Sequence, residues 1–223
     1  RVATNAVSVA IFAAFFTYMF LFTLYVQQVH DNSPMRTGLA YIPLTLTALI
    51  GAGASTVLMP RIGVKAVMAV AFFGAAAALF IAAAGFAPDA SFTSGFLPGL
   101  ALFGFFNGLA YPALVNGALH EVTGQDSGLA SGVQTAMQQT GAALGLATLV
   151  PFAFRYVDEH VADGALPRVA QSDGYALAFR IGAVVLAVAA VAVVLVLEKV
   201  DGQMRDPIAE AAEAASGAAV GER

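Results

Sequence analysis

The chain has 223 residues, of which 59% are hydrophobic and only 11% charged, too few charges to cover the surface of a water-soluble domain of this size. It contains no Cys and only three scattered His, which excludes disulfides, thiolate chemistry and a Cys/His metal centre. Ten basic residues against fourteen acidic ones, a net charge of −4, offer no basic patch for nucleic acid.

Breaks at charged residues, Pro and Gly clusters leave six apolar spans, at residues 4–28, 36–58, 64–86, 92–119, 126–154 and 174–197, each long enough to cross a bilayer as a helix. The expected fold is an all-α membrane protein, a bundle of six transmembrane helices over residues 1–200. Short links predict antiparallel neighbours; only the fifth link, 155–173, reads as a long connection. Residues 201–223 turn polar and Ala/Glu-rich and read as a disordered cytoplasmic tail. Arg1 replaces an initiating Met, and no signal-peptide pattern follows, so residues are expected to be missing before it.

On the first span, Asn5, Ser8, Phe12, Phe16, Met19, Thr23 and Gln27 fall within an arc of about 100°. This polar-aromatic stripe suits either cavity lining or helix packing. The second span is followed by Pro60, Arg61, Ile62, Gly63, Val64 and Lys65, the one tight connection with two basic residues, which places Arg61 and Lys65 in the cytoplasm as topology anchors. Tyr25, Tyr156 and Tyr175 then gather at the outer boundary as interfacial aromatics.

The third span and the body of the sixth carry no polar side chain in their middles and are expected to be the outer, lipid-facing helices. In the fourth span Pro112 removes a backbone donor and frees the carbonyl of Gly108, so a gating hinge is expected there. Asn107 and Tyr111 share one face and are candidate cavity residues.

The fifth span is the least greasy. Ser131, Gln134, Gln138, Gly141, Gly145 and Thr148 lie within about 100° of arc. Gln134 and Gln138 are expected to face a pathway, with hydrogen-bonding of neighbouring helices as the competing role.

Three ordered stretches carry a family resemblance: YVQQVHDNSPMRTGLAYIP (25–43), GLAYPALVNGAL (108–119) and SGLASGVQTAMQQTGAALGLA (127–147). In that order and spacing the chain resembles the C-terminal half of the fourteen-helix drug:proton antiporter branch of the major facilitator superfamily. The resemblance implies one half of a major facilitator fold in the plasma (inner) membrane, multi-pass, with a cytoplasmic C-terminus. It implies export of small hydrophobic or amphipathic molecules through a cavity lined by the first, second, fourth and fifth spans, in partnership with the lipid bilayer and an N-terminal half. No cofactor is implied. The family's acidic position in the loop after the second span is Pro60 here. No Asp, Glu, Lys, Arg or His lies in the middle of any span, so proton coupling is expected to reside in the N-terminal half. Two other readings compete: an intramembrane serine protease using Ser131 within Leu-Ala-Ser-Gly, and a non-transporting remnant of a transporter.

Overall fold

The computed structural model describes residues 2–86, 95–119 and 127–196, with side chains in the first helix from Val7 onward. Among the described residues every element is helical, and six helices are long and apolar enough to cross a membrane. The tail after residue 196 lies outside the described residues.

The first span is α1 (Val2–Leu24), continued by a π-helical turn, Tyr25–Val29. A short helix, α2 (Pro34–Ala40), follows; Ser33 caps it by accepting from the Arg36 amide at 3.4 Å, and Pro34 sits where a missing N–H is harmless. Tyr41 separates α2 from α3 (Ile42–Ile62). The chain then reverses at Gly63 alone, whose φ of 82° and ψ of 155° suit glycine and no bulkier residue, into α4 (Val64–Ala84). Pro60, Arg61 and Ile62 therefore remain helical. The last three helices are α5 (Leu97–Leu119), α6 (Ser127–Ala162) and α7 (Pro167–Val196).

The long connection expected at 155–173 is instead helix on both sides. α6 continues to Ala162, and α7 begins at Pro167. The reason is local: Arg155 donates to Glu159 one turn later at 2.8 Å, His160 follows in the last turn, Gly164 takes a φ of 93°, and Pro167 starts the next helix. Charge made this stretch look like a loop. Its helix-forming residues carry α6 past the apolar span.

Two seams organise the bundle, and glycine makes both. Along α5, Gly104 and Gly108 let the backbone of α3 approach: a Cβ on Gly108 would stand 2.0 Å from the Ala48 carbonyl oxygen, and one on Gly104 2.4 Å from that of Leu44. Along α6, Gly141 and Gly145 do the same for α1, with Val9 and Ala13 carbonyls at 2.5 and 2.3 Å from such a Cβ. Association in an apolar medium draws on van der Waals contact, so small residues four apart select the docking face.

α4 lies between α5 and α7, and α7 also packs on α6 and α1. An aromatic cluster ties α1, α5 and α7 together at one end: Tyr18 and Phe103 stack at 4.6 Å, Phe22 and Phe96 at 4.8 Å, and Phe86 meets Phe179 edge-on at 4.6 Å. Tyr25 and Tyr175 belong to this buried end. This differs from the interfacial belt expected of them, because Phe86 packs edge-on against both rings.

Candidate functional site

The distribution of exposed side chains separates the helices. α4 is the most enclosed, with 56% of its apolar 18-residue stretch buried inside the chain against 22% for the corresponding stretch of α2 and α3. The third span, expected as an outer, lipid-facing helix, is packed by its own chain over much of its surface. Small residues along most of its circumference let α5 and α7 close around it, leaving a narrow outward stripe of Val70, Phe73, Phe80 and Ile81. The exposed side chains of α7 beyond Arg180 are likewise apolar: Val184, Val185, Val188, Val191, Val194 and Leu195.

α6 is different. Midway along its apolar span, Gln139 and Thr140 are exposed, with Gln138 half-buried beside them, and Ser131, Thr135 and Thr148 are exposed on either side. The Thr135 and Thr148 hydroxyls donate to their own helix, to the Ser131 and Leu144 carbonyls at 3.0 and 2.6 Å. An amide has no such escape. In hydrocarbon an exposed Gln costs the full price of its unmade hydrogen bonds, so this face of α6 suits water or polar protein surroundings.

Gln134 was expected on that face and is found elsewhere. It is 4% exposed, and its Nε2 donates to Ser8 Oγ of α1 at 3.0 Å. The arc that contains Gln134 also contains Gly141 and Gly145, and those glycines bring α1 against it. The partner is thus the first helix, and the surface at 138–140 lies to one side of the seam. Gln139 escaped notice because period alone groups residues without saying which group docks. Gln134→Leu is expected to leave thermal stability within about 1 kcal/mol of the parent, since donor and unsatisfied Oε1 disappear together. Gln134→Ala, which opens a void, is expected to cost about 1–3 kcal/mol in the same unfolding measurement.

The remaining cavity candidates fall on α1, its π-helical continuation and α5. Phe12 of α1 meets Tyr111 of α5 edge-on at 6.3 Å, and Tyr111 is 50% exposed. Asn107, one turn before Tyr111, and Phe16, one turn after Phe12, are half-buried. Asn5 lies on α1 outside the residues whose side chains are described, and Gln27 is half-buried within the π-helical turn. Pro112 sits inside an uninterrupted α5, while Gly108 is held in the seam with α3. Arg61 is exposed and Lys65 half-buried, flanking the Gly63 reversal.

For Ser131 to act as a nucleophile a base must reach it. His160 is 29 residues further along the same helix, about 44 Å at 1.5 Å per residue, and its Nδ1 contacts the Tyr156 carbonyl at 2.8 Å. His30 lies edge-on to Tyr25 at 4.8 Å. Neither approaches Ser131; His120 lies outside the described residues.

At the end of α1, burial and then the nearby Arg168 cation hold the His30 pKa below its ordinary 6.5, with Asp31 opposing them. Arg168 itself donates to the Asp31 carboxylate. The folded chain therefore takes up this proton less readily than the unfolded one. Its stability contribution is complete above pH 6.5 and is lost as the pH falls toward and through the lowered folded value. In a series of thermal melts from pH 7 downward, His30→Gln is expected to flatten the decline that the parent shows.

No protein-family model matches the chain. It is 37% identical over 157 residues to the lincomycin resistance protein of Streptomyces lincolnensis, covering 69% of this chain and 32% of that protein. It is 30% identical over 178 residues to the puromycin resistance protein pur8 of Streptomyces alboniger, covering 75% of this chain and 35% of that one. The chain spans about a third of the length of these curated relatives. A six-helix bundle with one amide-bearing face is thus similar, over most of its length, to two Streptomyces proteins named for antibiotic resistance.

Proposed function

We propose that the chain forms one six-helix half of a major facilitator transporter that exports hydrophobic or amphipathic small molecules from the cell. The observation that carries this reading is the exposed amide and hydroxyl surface of Gln139 and Thr140 in the middle of a membrane-length helix, opposed to the wholly apolar outer stripes of α4 and α7. Such a surface belongs against water or a second bundle. The two resistance proteins support drugs as the cargo.

In this reading α1, α3, α5 and α6 form the cavity wall. Gln138, Gln139, Asn107 and Tyr111 supply neutral hydrogen bonds, and Phe12 and Phe16 supply aromatic surface. Pro112, with no N–H to offer the Gly108 carbonyl, gives α5 a place to bend. Alternating access requires a second bundle rocking about the midplane site. That partner is an N-terminal half, which also supplies the ionisable group for proton coupling. The membrane is the plasma (inner) membrane, with Arg61, Lys65 and the C-terminus cytoplasmic.

The Cys-free sequence allows a direct test by single-Cys labelling in membranes with a water-soluble maleimide. Cys at 111, 138 and 139 should label rapidly, and Cys at 73 and 188 slowly. Equal labelling of both sets overturns the cavity assignment. Export is tested by comparing puromycin accumulation in cells carrying the chain with an N-terminal half and cells carrying that half alone; equal accumulation overturns it.

A further inference from the structure

A cavity of ≈ 360 Å³ opens beside the π-helical turn, outside the proposed transport wall. Its apolar lining comes from Tyr25, Leu39 and Phe96, and its polar lining from His30, Asn32 and Arg36. The volume is within the range of small-molecule sites, and the mix of an aromatic floor with a few convergent polar groups is their usual make-up.

The charge balance of the lining is one-sided. Among the described residues Arg36 brings a guanidinium that makes no ion pair, Asn32 brings an amide, and no carboxylate lines the cavity. Asp31, the nearest acid in sequence, is occupied by Arg168. The cavity also lies where one membrane-length span ends at Val29 and the next begins at Pro34, the depth at which headgroups and amphipathic solutes collect.

We propose that this cavity binds an amphipathic anion: an aromatic or alkyl body on Tyr25, Phe96 and Leu39, and a single phosphate, sulfonate or carboxylate group on Arg36, assisted by Asn32. A guanidinium binds such oxyanions through two parallel N–H donors, which a neutral analogue cannot accept equally. The anionic group has two possible sources, a phospholipid headgroup or a soluble amphiphile. The site does not depend on the transport reading, and its test involves no transport.

Leu39→Cys carrying bimane in the otherwise Cys-free chain reports on the cavity, with Met35→Cys, on the exposed side of α2, as a second label position away from the lining. In phosphatidylcholine nanodiscs, 1-naphthalenesulfonate should give a saturable emission change. 1-Naphthalenemethanol should bind about tenfold or more weakly, and Arg36→Gln should cost the sulfonate about the same factor, with Arg36→Lys recovering part of it. A lipid source is identified by nanodiscs containing phosphatidylglycerol: emission then shifts before any ligand is added, in an Arg36-dependent way, and the sulfonate binds more weakly. A soluble source leaves the starting emission the same in both lipids. The proposal is overturned if the sulfonate response is absent and the two lipids give the same emission, or if Arg36→Gln, with an unchanged helical melt, alters neither signal.

Discussion

Replacing Gly108 with Leu is expected to force α5 away from α3 and to cost about 3 kcal/mol or more, enough to abolish a cooperative thermal transition in detergent. The size of the effect follows from what the new Cβ would meet. The Ala48 carbonyl oxygen, carbon and Cα stand 2.0, 2.7 and 2.8 Å from it, and none of these backbone atoms can rotate aside. Gly51 presses from the opposite helix, where a Cβ would fall 2.0 Å from the Phe105 carbonyl oxygen, so the seam has no slack on either side. Gly53→Ala is the control on α3. Nothing lies within 4 Å of the added methyl, and the variant is expected to melt at or slightly above the parent temperature. Circular dichroism melts of the three proteins check the prediction; a cooperative Gly108→Leu melt near the parent's overturns the seam.

Tyr18→Ala is expected to cost about 3–5 kcal/mol by emptying the centre of the aromatic cluster. The ring is 1% exposed and lies 4.6 Å from Phe103 and 5.1 Å from Phe179, so it joins helices distant in sequence. Its hydroxyl adds nothing to this: it is buried without a hydrogen-bond partner among the described residues. Tyr18→Phe should therefore match the parent or exceed it by about 1 kcal/mol. The pair of variants separates ring from hydroxyl, and a Phe variant as damaged as the Ala variant would show that the hydroxyl matters.

Six membrane-length helices, the turn at Gly63 and the apolar outward faces of α4 and α7 were legible because each depends on composition and local backbone rules. The extension of α6 was not. Arg155, Asp158 and Glu159 look like a solvated loop when charge is the criterion, yet they sit in good helical register with an ion pair one turn apart. Gln134 was misplaced by the same kind of shortcut. A helical period puts Gln134, Gln138 and Gly141 on one side, but it is silent about which helix occupies that side.

By itself the sequence determined that this is a helical membrane bundle with polar groups confined to some helices, because hydrophobic length and residue chemistry act one segment at a time. Only the tertiary structure decided how those groups divide. Gly141 and Gly145 bring the α1 backbone onto one face of α6, turning Gln134 into a bond to Ser8, while Gln139 and Thr140 remain exposed. The same packing encloses α4 and places Arg36 beside Phe96, a juxtaposition of residues 60 positions apart that no local pattern encodes.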